Sequence, residues 1–140
     1  MITQKFIDAR RLLNLLIIML LSSSAQASVD DSPDALTYFP IHPDIVTNFV
    51  KEKSSRFGFL NIQVQLSFKN KYLTLIELHQ PIIEDVLVMH FSSLTEAEIK
   101  SIEGREQIRL DVLKMLQDTL KEETQESILE DILFTKYMWQ

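Results

Sequence analysis

"FGFLNIQVQLSFKN", Phe57 to Asn70, decides the fold. Within it Leu60, Ile62, Val64, Leu66 and Phe68 alternate with Asn61, Gln63, Gln65 and Ser67. A period of two sends the apolar set to one side of an extended chain and the amides to the other. The stretch therefore predicts a half-buried strand, one face on a core and one face wet. Such a strand needs partners along its edges and an apolar layer over one face.

The upstream partner is predicted in "DALTYFPIHPDIVTNFV", Asp34 to Val50. Pro40 and Pro43 each remove a backbone donor, so the whole segment cannot be a central strand. Ile45–Val50 is the strand part. The charged stretch Lys51–Phe57 makes a turn, and the two strands form a hairpin. Downstream, "YLTLIELHQPIIEDVLVMHFSSL" (Tyr72–Leu94) supplies the covering layer. At 100° per residue Leu75, Leu78, Ile82, Val86 and Met89 share an arc, extended by Ile76, Ile83, Leu87 and Leu94. Thr74, Glu77, Glu84 and Asp85 lie opposite. The arc stays in phase across Pro81, which predicts one helix from about Tyr72 to Phe91, kinked at the proline. A break into two short helices is the alternative.

"TEAE" (Thr95–Glu98) fits a capping box. A second long helix follows, from about Glu103 to Glu122, with Ile108, Val112, Met115, Leu116 and Leu120 on its apolar face. Arg105 and Arg109 interrupt that arc one turn apart. Arg109 is expected to form an ion pair with Glu84 or Asp85 of the preceding helix, or to carry its charge out to the domain edge. Presentation to a partner is the competing role. The last segment, "SILEDILFTKYMWQ", is β-branched and aromatic and reads as a strand from about Leu129 to Met138. The expected fold class is α+β: a small antiparallel or mixed sheet in the order β-β-α-α-β, with two long helices packed on one face. With about three strands, at least one sheet edge has nothing beside it, which invites self-association.

The N-terminus has a different character. "RRLLNLLIIMLLSSSAQAS" (Arg10–Ser28) holds an apolar run from Leu12 to Leu21, broken only by Asn14. As a helix it spans about 15 Å, half of a bilayer's ~30 Å hydrocarbon core. Basic residues, a short apolar run and then Ala25-Gln26-Ala27 form the pattern of a secretory leader, cut before Ser28. A retained short anchor is the alternative for residues 1–27. Arg10-Arg11 reads as an ordinary basic flank rather than a twin-arginine signal. Residues 28–35 read as an acidic, unstructured linker, and residues 36–140 as the domain.

Composition excludes several chemistries. There is no Cys among the 140 residues, which removes disulfides, thiolate catalysis and cysteine metal sites. Beyond residue 27 the chain carries 11 basic and 19 acidic side chains, a net of −8, which repels phosphate backbones and argues against nucleic acid. Gly58 and Gly104 are too far apart for a phosphate loop, and no nucleophile-elbow motif is present. His79 and His90, on one helix, would lie ~16 Å apart, too far for one metal ion. With His42 they read as core or boundary residues. The pairs Glu84-Asp85 and Glu122-Glu123 read as solvated helix faces. No catalytic residue, cofactor or metal is expected.

The motifs together resemble one family. "GREQIRLDVLKMLQDTL" (Gly104–Leu120) followed by "ILFTKYMWQ" (Ile132–Gln140) is similar to the C-terminal half of FliL, a flagellar basal-body protein family. Gly104, Arg105, Ile108-Arg109, Phe134-Thr135, Tyr137 and Gln140 occupy the family's positions. "YFPIHPDIVTNF" and "LIELHQPIIEDVLVMHFSS" resemble its first strand and its Pro-containing amphipathic segment. The resemblance implies a stomatin-like periplasmic domain near the inner membrane, joined to a transmembrane helix. It also implies assembly as a homo-oligomeric ring around the flagellar stator, in support of torque and swarming. Arg105, Arg109, Glu84, Asp85, Phe134 and Tyr137 are the structural or partner-facing candidates. The chain departs from the family's usual form in its short apolar segment ending in "AQA" and in its short linker. A general periplasmic or membrane-edge scaffold of the same fold, without a motor role, is the alternative function.

Overall fold

The computed structural model describes residues 31–54 and 56–140. The leader or anchor expected at residues 1–27 lies outside these described residues. Strand β3, Phe57–Lys69, is the 13-residue backbone of a four-stranded antiparallel sheet. Strand β1 (Leu36–Pro40) pairs with one half of it, Leu36 opposite Lys69 and Pro40 opposite Gln65. Strand β2 (Ile45–Val50) pairs with the other half, Ile45 opposite Ile62 and Val50 opposite Phe57. Strand β4 (Asp131–Trp139) pairs with β3 from Leu60 to Ser67, overlapping both. A strand has only two edges, so β1 and β2 lie end to end along one edge of β3 and β4 takes the other. The join between β1 and β2 carries the cis His42–Pro43 peptide, while the Ile41 N–H donates to the Val64 carbonyl at 2.9 Å.

Strand β1 is absent from the sequence reading, which stopped at Pro40 and Pro43. Strand β1 lies at a sheet edge and Pro40 is its last residue, so the missing donor costs no ladder bond. Residues 32–35 form a turn in which the Ala35 N–H donates to Ser32, the Lys71 N–H donates to Pro33, and Asp34 pairs with Lys69 and Lys71.

After a single 3-10 turn at Asn70–Tyr72, helices α1 (Leu73–Leu78) and α2 (Gln80–Ser92) replace the single kinked helix. The division falls at His79, whose φ and ψ of −95° and 7° leave the helical region. Pro81 then sits in the first turn of α2, where an N–H has no intrahelical partner to lose. The buried stripe is Ile76, Ile83, Leu87 and Phe91, while Leu78 and Met89 face water. Apolar residues cover so much of this segment that the wheel left its centre free to shift by a residue.

Helix α3 (Glu96–Lys100) carries the capping box as expected: the Glu98 N–H donates to Thr95 Oγ1, and the Thr95 N–H donates to Glu98 Oε2 at 2.8 Å. Helix α4 (Ile102–Thr124) starts one residue later. Ile108, Val112, Leu116 and Leu120 are buried at a strict spacing of four, and Met115 is exposed. Helix α2 lies over β2 and α4 over β4, so both cover the same sheet face. Between them and Leu60, Ile62, Val64, Leu66 and Phe68 of β3 sits one continuous core. Among the described residues no helix is long and apolar enough to cross a membrane.

Candidate interaction site

The C-terminal strand arranges the aromatic residues singled out in the sequence. Phe134 and Tyr137 are three apart and would face opposite ways on a regular strand. A bulge shifts the register so that Lys136 faces Gln63 while Phe134 faces Val64, leaving Thr135 as the extra residue. Both rings thereby reach the helix-covered face. They stack at 5.9 Å between centroids, and Phe134 continues edge-on to Phe91 at 5.9 Å. Thr135 Oγ1 donates to Gln63 Oε1 across the bulge at 2.9 Å.

Tyr137 ends this row beside the α3–α4 joint. Its hydroxyl donates to the Ile99 carbonyl at 3.1 Å, and burial raises its pKa above that of a free phenol. The Arg105 guanidinium lies over the Tyr137 ring at 5.6 Å, and Lys100 Nζ lies over Trp139 at 4.9 Å. Together with the highly exposed Ile102 they line an open cleft of about 450 Å³. Among the described residues Arg105 has no carboxylate within ion-pair distance, so its donors are available. Lys100 is paired with Glu96, whose carboxyl is lowered first by that bond and then by the Glu52 N–H.

The helix crossing that forms this cleft depends on Gly104. A Cβ there would collide with the Glu98 backbone carbonyl, and with Ser101 Oγ, which accepts from the Gly104 N–H at 2.7 Å. The glycine lets α4 start against the end of α3.

Arg109 is not where the sequence reading placed it. Its side chain, 21% exposed, bonds both oxygens of Glu106 on its own helix and Asp131 Oδ1 at the start of β4, at 2.5 Å. Glu84 instead accepts from Gln80 Nε2 at 2.7 Å, and Asp85 is exposed. The expected pair with Glu84 or Asp85 is therefore overturned. Arg109 stands one residue beyond the buried Ile108, on the flank of α4 that faces β4, not α2. Its hydrogen bonds to Glu106 hold the Glu106 carboxyl below its ordinary value and raise the guanidinium further. The result is a clamp from α4 to β4.

The sequence reading also missed the roles of Lys100 and Trp139, which follow only from the one-residue α3–α4 joint. Of the histidines, His42 is exposed and the other two are half-buried; His79 Nδ1 contacts the Leu75 carbonyl at 2.7 Å.

These features define a class: a small α+β domain whose long central strand is roofed on one face by helices and whose last strand closes the sheet. Residues 38–140 match the family model described as flagellar basal body-associated protein FliL. The chain belongs to the FliL family. It is also 25% identical over 108 residues to the "Flagellar protein FliL" of Aquifex aeolicus (strain VF5), covering 77% of this chain and 64% of that relative. Gly104, Arg105, Phe134 and Tyr137, which carried the resemblance, are the residues that shape the α3–α4 joint and the aromatic row.

Proposed function

We propose that this protein is a non-enzymatic accessory of the flagellar motor that acts by contact with the stator and basal body in the periplasm, close to the inner membrane. Family membership across residues 38–140 carries this reading. The arrangement of the cleft supports it: an unpaired guanidinium held on an aromatic ring beside exposed apolar side chains suits a protein surface better than a reaction. In this reading Arg105 and Tyr137 belong to the contact surface, while Arg109 and Phe134 hold β4 in place. Residues 1–27 act as an export leader or short anchor, and residues 28–35 space the domain from it. The domains assemble as a homo-oligomer, using the free outer edges of the sheet.

The test is deletion in the native host, with swimming, swarming and stator occupancy scored. Reduced motility restored by the wild-type gene, and restored less by Arg105→Ala, is the expected result. Normal motility with normal stator occupancy overturns the motor role and leaves the general scaffold.

A further inference from the structure

Among the described residues no element covers the face of the sheet away from the helices, and the apolar residues of that face gather at the β2–β3 hairpin. Val46 and Met138 flank Asn61 from either side, and Val50 and Phe57 form the last cross-strand pair before the turn. Phe59 lies between these rows. Val46, Val50, Phe57 and Phe59 are each more than half exposed, with Phe57 at 66%. The turn that joins these strands carries Lys51, Lys53 and Arg56 against Glu52. Among the described residues none of the three cations is within ion-pair distance of a carboxylate. Glu96 is the next acid, close enough for Lys51 to help lower its pKa, but it is already bonded to Lys100.

The other side of the domain has the opposite charge. Between residues 73 and 124 the helical layer carries 11 acidic and five basic side chains. A negatively charged surface would therefore repel the helices and attract the hairpin end. We infer that the β2–β3 hairpin and the apolar patch beside it dock on the surface of an anionic lipid bilayer. The cations meet lipid phosphates, and Val50, Phe57 and Phe59 enter the headgroup–acyl boundary. Each half of this contact is modest alone: a basic residue near an anionic surface adds about a fivefold gain in partitioning, and shallow aromatic burial adds area. Together they make a reversible contact that weakens with salt. Leu36 pairs with Lys69, at the opposite end of β3 from Phe57, roughly 40 Å away along the strand. The inference is also independent of the motor role.

The test uses residues 31–140, which build their own core, in cosedimentation with vesicles. Phosphatidylglycerol-rich vesicles are compared with pure phosphatidylcholine at low and at physiological salt. Binding to the anionic vesicles alone, reduced by salt, is expected. Lys51→Glu with Lys53→Glu should lower partitioning at least about thirtyfold, and Phe57→Ser with Phe59→Ser about tenfold. Lys53, Phe57 and Phe59 are exposed and Lys51 is half-buried with no ion pair among the described residues, so the variants should melt close to the parent. No binding to anionic vesicles at low salt, or variants that bind like the parent, overturns the inference. So does a soluble dimer that ignores vesicles and is lost on the Phe57→Ser and Phe59→Ser changes, which would make the patch a protein interface.

Discussion

The two faces of β3 come from one run of alternating residues and end in different environments. On the helix side, Leu60, Ile62, Val64, Leu66 and Phe68 are all at most 1% exposed. On the other side the amides Asn61, Gln63 and Gln65 are half-covered, and Phe57 and Phe59 stand in water. The difference shows that alternation names a face but does not say what covers it. Hydrophobicity on the closed face stabilises the fold. Hydrophobicity on the open face is left over from folding and is available for contact.

The largest expected effect tests the closed face. Phe68→Ala removes a fully buried ring and should destabilise the domain by about 3–5 kcal/mol, read as a fall in the denaturant midpoint. A loss below about 1 kcal/mol would mean that the core repacks freely and that the contrast between the faces is shallow.

Gly104→Ala comes next. Alanine in an ordinary helical position stabilises relative to glycine, so the sign alone is informative. Collision with the Glu98 carbonyl predicts a loss of about 1–3 kcal/mol instead. A gain would show that α3 can move away from α4 without cost.

Arg109→Ala should cost about 1–2 kcal/mol through the lost α4–β4 clamp, whereas Glu84→Ala and Asp85→Ala should stay within about 0.5 kcal/mol. The pH dependence follows from the sign of the Glu106 shift. Its folded value lies below the ordinary 4.5, so its contribution is present above that pH and is lost as pH falls through the folded value. The Arg109→Ala variant should therefore lose less stability on acidification than the parent. Equal acid sensitivity in both would remove Glu106 from the clamp.

The smallest effect lies on the open face. Phe59→Ser should leave the melting temperature nearly unchanged, within about 0.5 kcal/mol. A large loss would show that this face is covered after all.

Much of the fold was legible in the sequence because its signals are local. The alternation of β3, the capping box at Thr95 and the fourfold spacing of α4 each sit within one element. What escaped depends on contacts between elements. Strand β1 was hidden because Pro40 is forbidden in a central strand but harmless at an edge, and edge position is a tertiary property. The partner of Arg109 was misread because a wheel shows that a residue leaves the apolar arc but not which neighbour lies there. The site was legible in part: Arg105 and Tyr137 stood out by type and motif. The bulge that brings Phe134 and Tyr137 to one face has no marker of its own in the strand.

Strand β3 also sets the order in which the domain can be completed. Its first edge is filled by residues that precede it, through hairpin contacts available as soon as Lys69 has emerged. Its second edge waits for β4, and pairs such as Leu60 with Trp139 span nearly eighty residues of chain. Until then the longest strand of the domain has an unsatisfied ladder beside half-roofed leucines and isoleucines. Closing so long a loop is slow compared with forming helices. A chain that emerges from its N-terminus passes through this state every time, with a long alternating apolar strand exposed until β4 arrives.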